Sequence, residues 1–224
     1  MGAVNGNLYE KEAALQMVMK LGRALALAGV EVIYTRTADV DMELRPRTNL
    51  ANAANADYFI SIHLNGATAK QAQGVETYAY SATGSHYKLA QAVQQELIKA
   101  TGAVDRGVKT ANFFVLRETK MPAILIETGF ISNDAEAQAL FSDGYQQIIT
   151  NAIFKAVSNH LGLEQGAAVV KRYNYLMEIP AGEFRETIKE LMSKGVIKNK
   201  DGQLDLSYDM IRMFVVNNRA GAYK

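Results

Sequence analysis

The sequence predicts an α/β protein, a twisted, mainly parallel sheet flanked by helices on both faces, with a small C-terminal helical module. Two observations predict this fold. Short segments rich in β-branched residues alternate with amphipathic segments along residues 1–163, a pattern typical of parallel sheets covered on both sides. Hydrophobic residues also make up 49% of the 224 residues, which is enough to fill a sizeable core.

The elements follow from local periodicity and composition. Apolar residues at helical spacing predict helices over 10–28, 45–55, 86–101 and 145–162. β-branched and aromatic runs predict strands over 30–36, 57–63, 74–80, 112–116 and 122–128.

Composition excludes several classes of function. A formal net charge of +1 gives no case for a nucleic-acid partner or an anionic membrane surface. Cysteine is absent, so a metal would have to be held by His, Asp or Glu. The sequence contains neither a signal peptide nor an apolar run of about 18 residues, and membrane insertion is not expected. The oligomeric state cannot be read from these features.

Two polar residues stand where parallel strands are predicted to end. His63 closes the run FISIH, and Glu127 follows four apolar residues in AILIETGF. Functional groups collect at the carboxyl ends of such strands. Each residue has a structural alternative, because His63 could be a satisfied core histidine and Glu127 a buried acid paired with an arginine.

Three separated phrases carry a family resemblance: GNLYEKEAAL, ADYFISIHLN and MPAILIETGFISN. In this order they closely resemble the zinc-dependent N-acetylmuramoyl-L-alanine amidases of bacterial cell-wall hydrolases and phage endolysins, the amidase-3 family, over residues 2–162. The resemblance implies a twisted sheet flanked by helices. It also implies hydrolysis, by zinc-activated water, of the amide between N-acetylmuramic acid and L-alanine in peptidoglycan. A non-catalytic cell-wall-binding protein or an inactive truncated derivative of the same fold is the alternative.

The resemblance also implies the roles of particular residues. The family binds zinc through two histidines and one glutamate, and its phrases map Glu10 and His63 to the metal site and Glu127 to catalysis. The first zinc histidine lies in a G-H-G-G phrase that precedes the residues matching GAVNGN. Here the chain begins MGAVNGN, so we expect that strand and histidine to be lacking. His86 and His160 lie at predicted helix ends, where a structural role suffices.

The resemblance places the activity at the cell wall, outside the cell. Two routes to the wall are compatible with the sequence: release by phage lysis, or retention in the cytoplasm until release. The resemblance covers both host autolysins and phage lysins.

Two arginines are expected to be structural. Arg36 follows the predicted strand 30–36 and Arg47 lies on the polar face of a predicted helix. We expect them to pair with carboxylates, one of them near Glu127. For Arg47 a solvated surface charge is an equal alternative.

Composition divides the chain into a catalytic domain over 1–163, a linker over 164–171 and a small helical module over 172–224. The run GEFRETIKELMSKG predicts one helix of this module, and Ser207 is expected to cap a second. The module resembles, more weakly, short C-terminal modules of endolysin-type amidases.

Limited proteolysis tests this boundary. We expect the first cut within 164–171, because small residues and glycine cluster there and exposed linkers are cut first. Mass spectrometry of the early fragments identifies the site. A first cut inside 86–101 would contradict the boundary.

Overall fold

The computed structural model describes residues 2–163, 172–173, 183–194, 196–197 and 206–207. The chain forms two compact units, Met1–Gln165 and Gly166–Lys224. The linker expected at 164–171 lies outside the described residues. Within the described part of the chain, no helix is both long and apolar enough to cross a bilayer.

The first unit alternates strands and helices. In chain order its elements are β1 (Val4–Asn5), β2 (Leu8–Tyr9), α1 (Glu10–Leu27), α2 (Leu44–Ala53), β3 (Phe59–Asn65), β4 (Val75–Ala79), α3 (Gly84–Thr101), β5 (Asp105–Thr110), α4 (Phe114–Arg117), β6 (Ala123–Phe130), α5 (Asp134–Leu140) and α6 (Asp143–Leu161). The four predicted helices and three of the predicted strands, β3, β4 and β6, are confirmed to within a few residues.

The sheet has four strands in the order β3-β6-β4-β5. The β3–β6 and β4–β5 pairs are parallel, and β4–β6 is antiparallel. The sheet is therefore mixed but mainly parallel, which confirms the predicted fold class. A separate antiparallel pair joins β1 to β2 just before α1.

Alternate residues of the central strands pack into two layers. Ile62, Leu64, Ile124 and Ile126 face one way, into the core formed with α1, α3, α5 and α6. Side chains at alternate positions face a smaller cluster with α2 and α4, made of Ala51, Phe59, Val115, Leu116, Ala123 and Leu125. Helices thus cover both faces. The smaller cluster lies at the beginning of β3 and β6, so both strands continue beyond it on that face.

The predicted strand 30–36 is wrong, since these residues form no strand in the structure. Their composition favours a strand, but a strand also needs a neighbour for its backbone hydrogen bonds. The segment packs instead through Tyr34 against α1. A Cβ at Gly22 would clash with the Tyr34 hydroxyl and ring, so the Tyr34 side chain packs directly against this glycine.

The predicted strand 112–116 is also wrong. The backbone N–H groups of Leu116 and Arg117 bond to the carbonyl of Phe113, and α4 forms as a single helical turn. Val115 and Leu116 are buried in the smaller cluster. One helical turn therefore buries these apolar side chains and pairs the backbone N–H groups without a neighbouring strand. The chain also forms β5 and α5, neither of which the sequence predicted.

The second unit contains a helix and a short antiparallel strand pair. Helix α7 (Glu183–Ser193) confirms the predicted helix, with Ile188 and Leu191 fully buried. Strands β7 (Arg172–Tyr173) and β8 (Leu206–Ser207) pair with each other and were not predicted. The second predicted helix, after Ser207, lies outside the described residues.

A buried carboxylate ties three strands together. The Glu76 side chain in β4 is 3% exposed, and its Oε2 accepts hydrogen bonds from Arg106 Nε at 2.7 Å and from Lys109 Nζ. Its Oε1 accepts from Asn65 Nδ2 and the Tyr78 hydroxyl, both at 2.7 Å. Burial disfavours the ionised form, but the bonds from Lys109, Arg106 and Tyr78 outweigh burial and lower the pKa of Glu76 to about 2.

Replacing this carboxylate should cost stability in a pH-dependent way. With the folded pKa at about 2 rather than the ordinary 4.5, ionised Glu76 stabilises the fold above about pH 4.5, and the contribution is lost as the pH falls towards 2. Glu76→Gln should lower the free energy of unfolding by about 3 kcal/mol at neutral pH, and the difference should shrink through that window.

Urea unfolding of both chains across this pH range measures the effect. Glu118→Gln is the matched control, because Glu118 forms an ion pair with Arg117 but is 39% exposed; its effect should stay below about 1 kcal/mol at every pH. A pH-independent effect of Glu76→Gln would show that packing, and not ionisation, is responsible.

Candidate active site

Strand register places three charged residues in one row across the sheet. His63 in β3 pairs with Glu127 in β6, and Glu127 pairs with Glu76 in β4. Strand alternation directs all three to the face that carries α2 and α4, beyond the apolar cluster. The parallel strands β3 and β6 end here and the antiparallel β4 begins here.

Glu10, the first residue of α1, binds His63 directly. Its Oε1 lies 2.7 Å from His63 Nδ1, and its Oε2 accepts the Ala3 N–H at 2.7 Å. The start of the chain covers this carboxylate closely, since a Cβ at Gly2 would lie 2.5 Å from Oε2. The His63 side chain is 38% exposed. His63 is therefore not an enclosed core histidine but a partly accessible one held by a carboxylate.

The pKa values of this pair shift in opposite directions. Burial alone would raise the pKa of Glu10, but hydrogen bonds from His63 and from the Ala3 N–H lower it. Burial likewise opposes protonation of His63, yet its hydrogen bond to Glu10 and the charges of Glu127 and Glu10 raise its pKa, against a smaller opposing effect of Arg47. Both shifts favour the charged forms of the two side chains.

Glu127 has no such partner. Its Oε2 is buried and makes no hydrogen bond to the described residues. Burial, reinforced by the charges of Glu10 and Glu76 and opposed by His63, raises its pKa to about 7. The alternative considered for Glu127 is a buried acid bound to an arginine. That description fits Glu76, which binds Arg106, and does not fit Glu127. A carboxyl group with a pKa near 7 can both accept and deliver a proton at neutral pH.

The turn after Glu127 is held by specific contacts. The Thr128 hydroxyl donates to the His63 carbonyl at 3.0 Å, which joins the ends of β3 and β6. Gly129 has φ +152°, and a Cβ there would lie 3.1 Å from Leu140 Cδ1. The Phe130 N–H donates to Glu136 Oε2 at 2.6 Å. These contacts fix the direction of the strand end that carries Glu127.

Sequence reasoning missed Glu76. The available signal was a carboxylate inside the otherwise apolar run V-E-T-Y-A, since a buried acid needs a cation or a hydrogen-bond donor. Its partners Arg106 and Lys109 lie on β5, which was not predicted either, so the pairing could not be anticipated.

The donor set fits a zinc site only in part. Glu10 and His63 offer a carboxylate and an imidazole, both ordinary zinc ligands. Among the described residues, however, no group of three or more His, Cys, Asp or Glu side chains is placed to hold a metal, whereas a catalytic zinc takes three protein ligands.

The other two histidines do not complete the set. His86, near the start of α3, lies 2.8 Å from Ser81 Oγ through its Nε2, and His160, in the last turn of α6, lies 3.1 Å from the Tyr58 hydroxyl. Burial and the charge of Lys88 lower the pKa of His160. This shift favours the neutral ring, so the helix end does not hold it as a cation.

The two arginines expected to pair with carboxylates bond to backbone carbonyls instead. Arg36 donates to the carbonyls of Lys11 and Ala38, and Arg47 Nε donates to that of Met42 at 2.9 Å. The expected carboxylate pairing is therefore wrong within the described residues. Both guanidinium groups hold the irregular segment between α1 and α2, and an arginine can satisfy bare carbonyls where no strand neighbour does.

Comparison with known protein sequences identifies related proteins. The sequence profile of the amidase-3 family, described as N-acetylmuramoyl-L-alanine amidase, matches residues 1–159. The N-acetylmuramoyl-L-alanine amidase CwlM of Bacillus licheniformis is 35% identical over 203 residues, which are 89% of this chain and 78% of that protein. The endolysin of Bacillus phage SPP1 is 36% identical over 171 residues, covering 73% and 62% of the two chains.

Solved structures agree as well. The N-acetylmuramoyl-L-alanine amidase of Clostridium difficile 630 superposes with a TM-score of 0.67 at 36% identity, over 74% of this chain and 90% of that one. AmiC2 of Nostoc punctiforme gives 0.69 at 34% identity, over 72% and 89%. The chain therefore belongs to the amidase-3 family of N-acetylmuramoyl-L-alanine amidases, which are peptidoglycan hydrolases.

Proposed function

We propose that Glu10, His63 and Glu127 form the hydrolytic site of this amidase, which cleaves the amide between N-acetylmuramic acid and L-alanine. One observation carries the assignment. Glu127 is a partly buried carboxyl group whose Oε2 is enclosed and makes no hydrogen bond among the described residues, and its pKa is raised to about 7 beside the Glu10–His63 pair. A stable fold has no need of an unpaired buried acid, and perturbed acids of this kind cluster at functional sites.

Glu10 and His63 are proposed to hold zinc. Bound zinc would polarise the scissile carbonyl and lower the pKa of a water towards 7. Zinc binds the neutral imidazole and the carboxylate, so zinc affinity should fall at acid pH. The third protein ligand is the histidine of the family's G-H-G-G phrase, which the described residues do not contain.

Glu127 is proposed to move the protons of the reaction. As a carboxylate it takes a proton from the attacking water, and as the acid it delivers a proton to the nitrogen of the departing L-alanine. Its place at the end of a rigid buried strand holds the carboxyl group at one position. Burial raises its pKa to about 7, so both forms of the carboxyl group are available at neutral pH.

A second candidate is a wall-binding protein without activity. The observation that favours it is that the described residues offer two metal ligands and not three. In either case we propose that the chain acts at the cell wall. Its similarity both to bacterial amidases and to a phage endolysin leaves host and phage origins open.

Zinc content separates the two candidates. In the chain extended at its N terminus with the family's G-H-G-G segment, His63→Ala and Glu10→Ala should each abolish stoichiometric zinc, measured by mass spectrometry after dialysis, because each removes a ligand. His86→Ala is the control and should keep zinc. Circular dichroism verifies that the variants fold. Zinc retained at one per chain in His63→Ala would refute the ligand assignment.

Replacement of the proposed acid–base group should abolish turnover and spare the fold. In the same extended chain, Glu127→Gln should reduce the release of soluble fragments from peptidoglycan by about a hundred-fold to ten-thousand-fold. Zinc content and melting temperature should barely change. Glu12→Gln, an exposed glutamate of α1, is the control and should keep full activity.

The contrary outcome is distinct. If Glu127 were a structural acid, the variant would lose stability, on the order of 3–5 kcal/mol for a broken buried pair, and the folded fraction would keep its specific activity. Melting temperature and hydrolytic rate are therefore measured on one preparation.

A further inference from the structure

Two cations share one carboxylate beside the proposed site. Arg106 and Lys109 both bind Oε2 of Glu76. Glu76 stays ionised down to about pH 2, so the three groups carry one positive charge beyond neutrality. A single cation would already neutralise this buried acid.

Both cations are held firmly and yet remain accessible. Glu76 is fixed from its other oxygen by Asn65 and Tyr78. The Arg106 guanidinium lies 4.9 Å from the centre of the Phe130 ring, and Lys109 Nζ lies 5.9 Å from that of Tyr78. The Arg106 and Lys109 side chains are nevertheless 35% and 38% exposed. Cations that are ordered before binding lose little freedom when they meet an anion.

Their distance from Glu127 suits a substrate that crosses the sheet. Arg106 and Lys109 lie on β5, two strands from β6 in the order β3-β6-β4-β5. Strands are about 4.8 Å apart, and both head groups bind Glu76 on β4, the strand next to β6, so the two cations lie about 5 to 10 Å from β6. An extended peptide advances about 3.4 Å per residue, and a side group adds several ångströms. A carboxylate on the residue after L-alanine therefore reaches β5 when the scissile amide lies at Glu127.

We propose that Arg106 and Lys109 form a subsite for a carboxylate of the peptide that peptidoglycan attaches through L-alanine. The inference rests on the proposed hydrolytic function of Glu127, since that residue fixes where the scissile bond lies. Glu76 positions the two cations. Arg106 donates to Glu76 through Nε and to the Gln73 carbonyl through Nη1, so Nη2 is the guanidinium nitrogen that would meet the carboxylate, with Lys109 Nζ as the second donor.

Two synthetic ligands test the subsite without turnover. They are N-acetylmuramoyl-L-alanyl-D-glutamate and the same compound with its α-carboxylate converted to a carboxamide. Their dissociation constants are measured by calorimetry on the 224-residue chain that carries Glu127→Gln. We expect the carboxylate ligand to bind about ten-fold more tightly, a difference of about 1.4 kcal/mol, and the preference to weaken as salt is added.

Variants assign the preference to the two cations. Arg106→Gln and Lys109→Gln should each reduce the ratio of the two dissociation constants towards one, by weakening only the binding of the carboxylate ligand. Arg117→Gln is the matched control, since Arg117 is 37% exposed and is also paired with a glutamate; it should leave the ratio unchanged. Thermal denaturation verifies folding.

Several outcomes overturn the proposal. In the Glu127→Gln chain, equal affinity for the two ligands contradicts it, and so does a failure to bind either ligand. A preference for the carboxylate ligand that survives in both the Arg106→Gln and the Lys109→Gln variants also contradicts it. Failure of the proposed function has a different signature. A chain that prefers the carboxylate ligand but does not hydrolyse peptidoglycan keeps the subsite, and an active chain without the preference keeps only the hydrolytic assignment.

Discussion

The site depends on the register of one strand. Because β6 pairs with β3 on one side and β4 on the other, His63, Glu127 and Glu76 fall at the same level of the same face. The register is fixed by the alternate residues, since Ile124 and Ile126 are fully buried in the main core. A slip of one residue would turn Glu127 into that core and expose the isoleucines on the other face. Core packing and site geometry are therefore the same constraint.

Three carboxylates on this part of the fold differ only in their partners. Glu10 binds His63, Glu76 binds Arg106 and Lys109, and both have lowered pKa values. Glu127 is partly buried beside them, its enclosed Oε2 has no donor in the part of the chain that the structure describes, and its pKa rises to about 7. The neighbouring carboxylates contribute to that rise. The fold thus raises the pKa of one acid and lowers those of the other two by supplying them with cations, which is the difference that the proposed proton-transfer role of Glu127 needs.

Sequence reasoning could find the parts whose signal is local. Glu127 stands out because four apolar residues lead up to it, and burial of the strand follows from composition alone. The strand expected at 30–36 failed because strand formation depends on a neighbour, which composition does not reveal. The segment 112–116 failed because one helical turn buries its apolar side chains equally well. Residues 105–110 are polar, as suits an edge strand, so β5 and its bonds to Glu76 could not be read from periodicity.

The Glu10–His63 hydrogen bond joins residues 53 positions apart in sequence, and His63 meets Glu127 only through the β3–β6 pairing. Contacts of such long range form slowly and late, because the intervening chain must first be ordered. During synthesis, α1 and β3 leave the ribosome well before β6. The nascent chain therefore carries the two proposed metal ligands before it carries the proposed acid, and the three residues come together only when β6 joins the sheet.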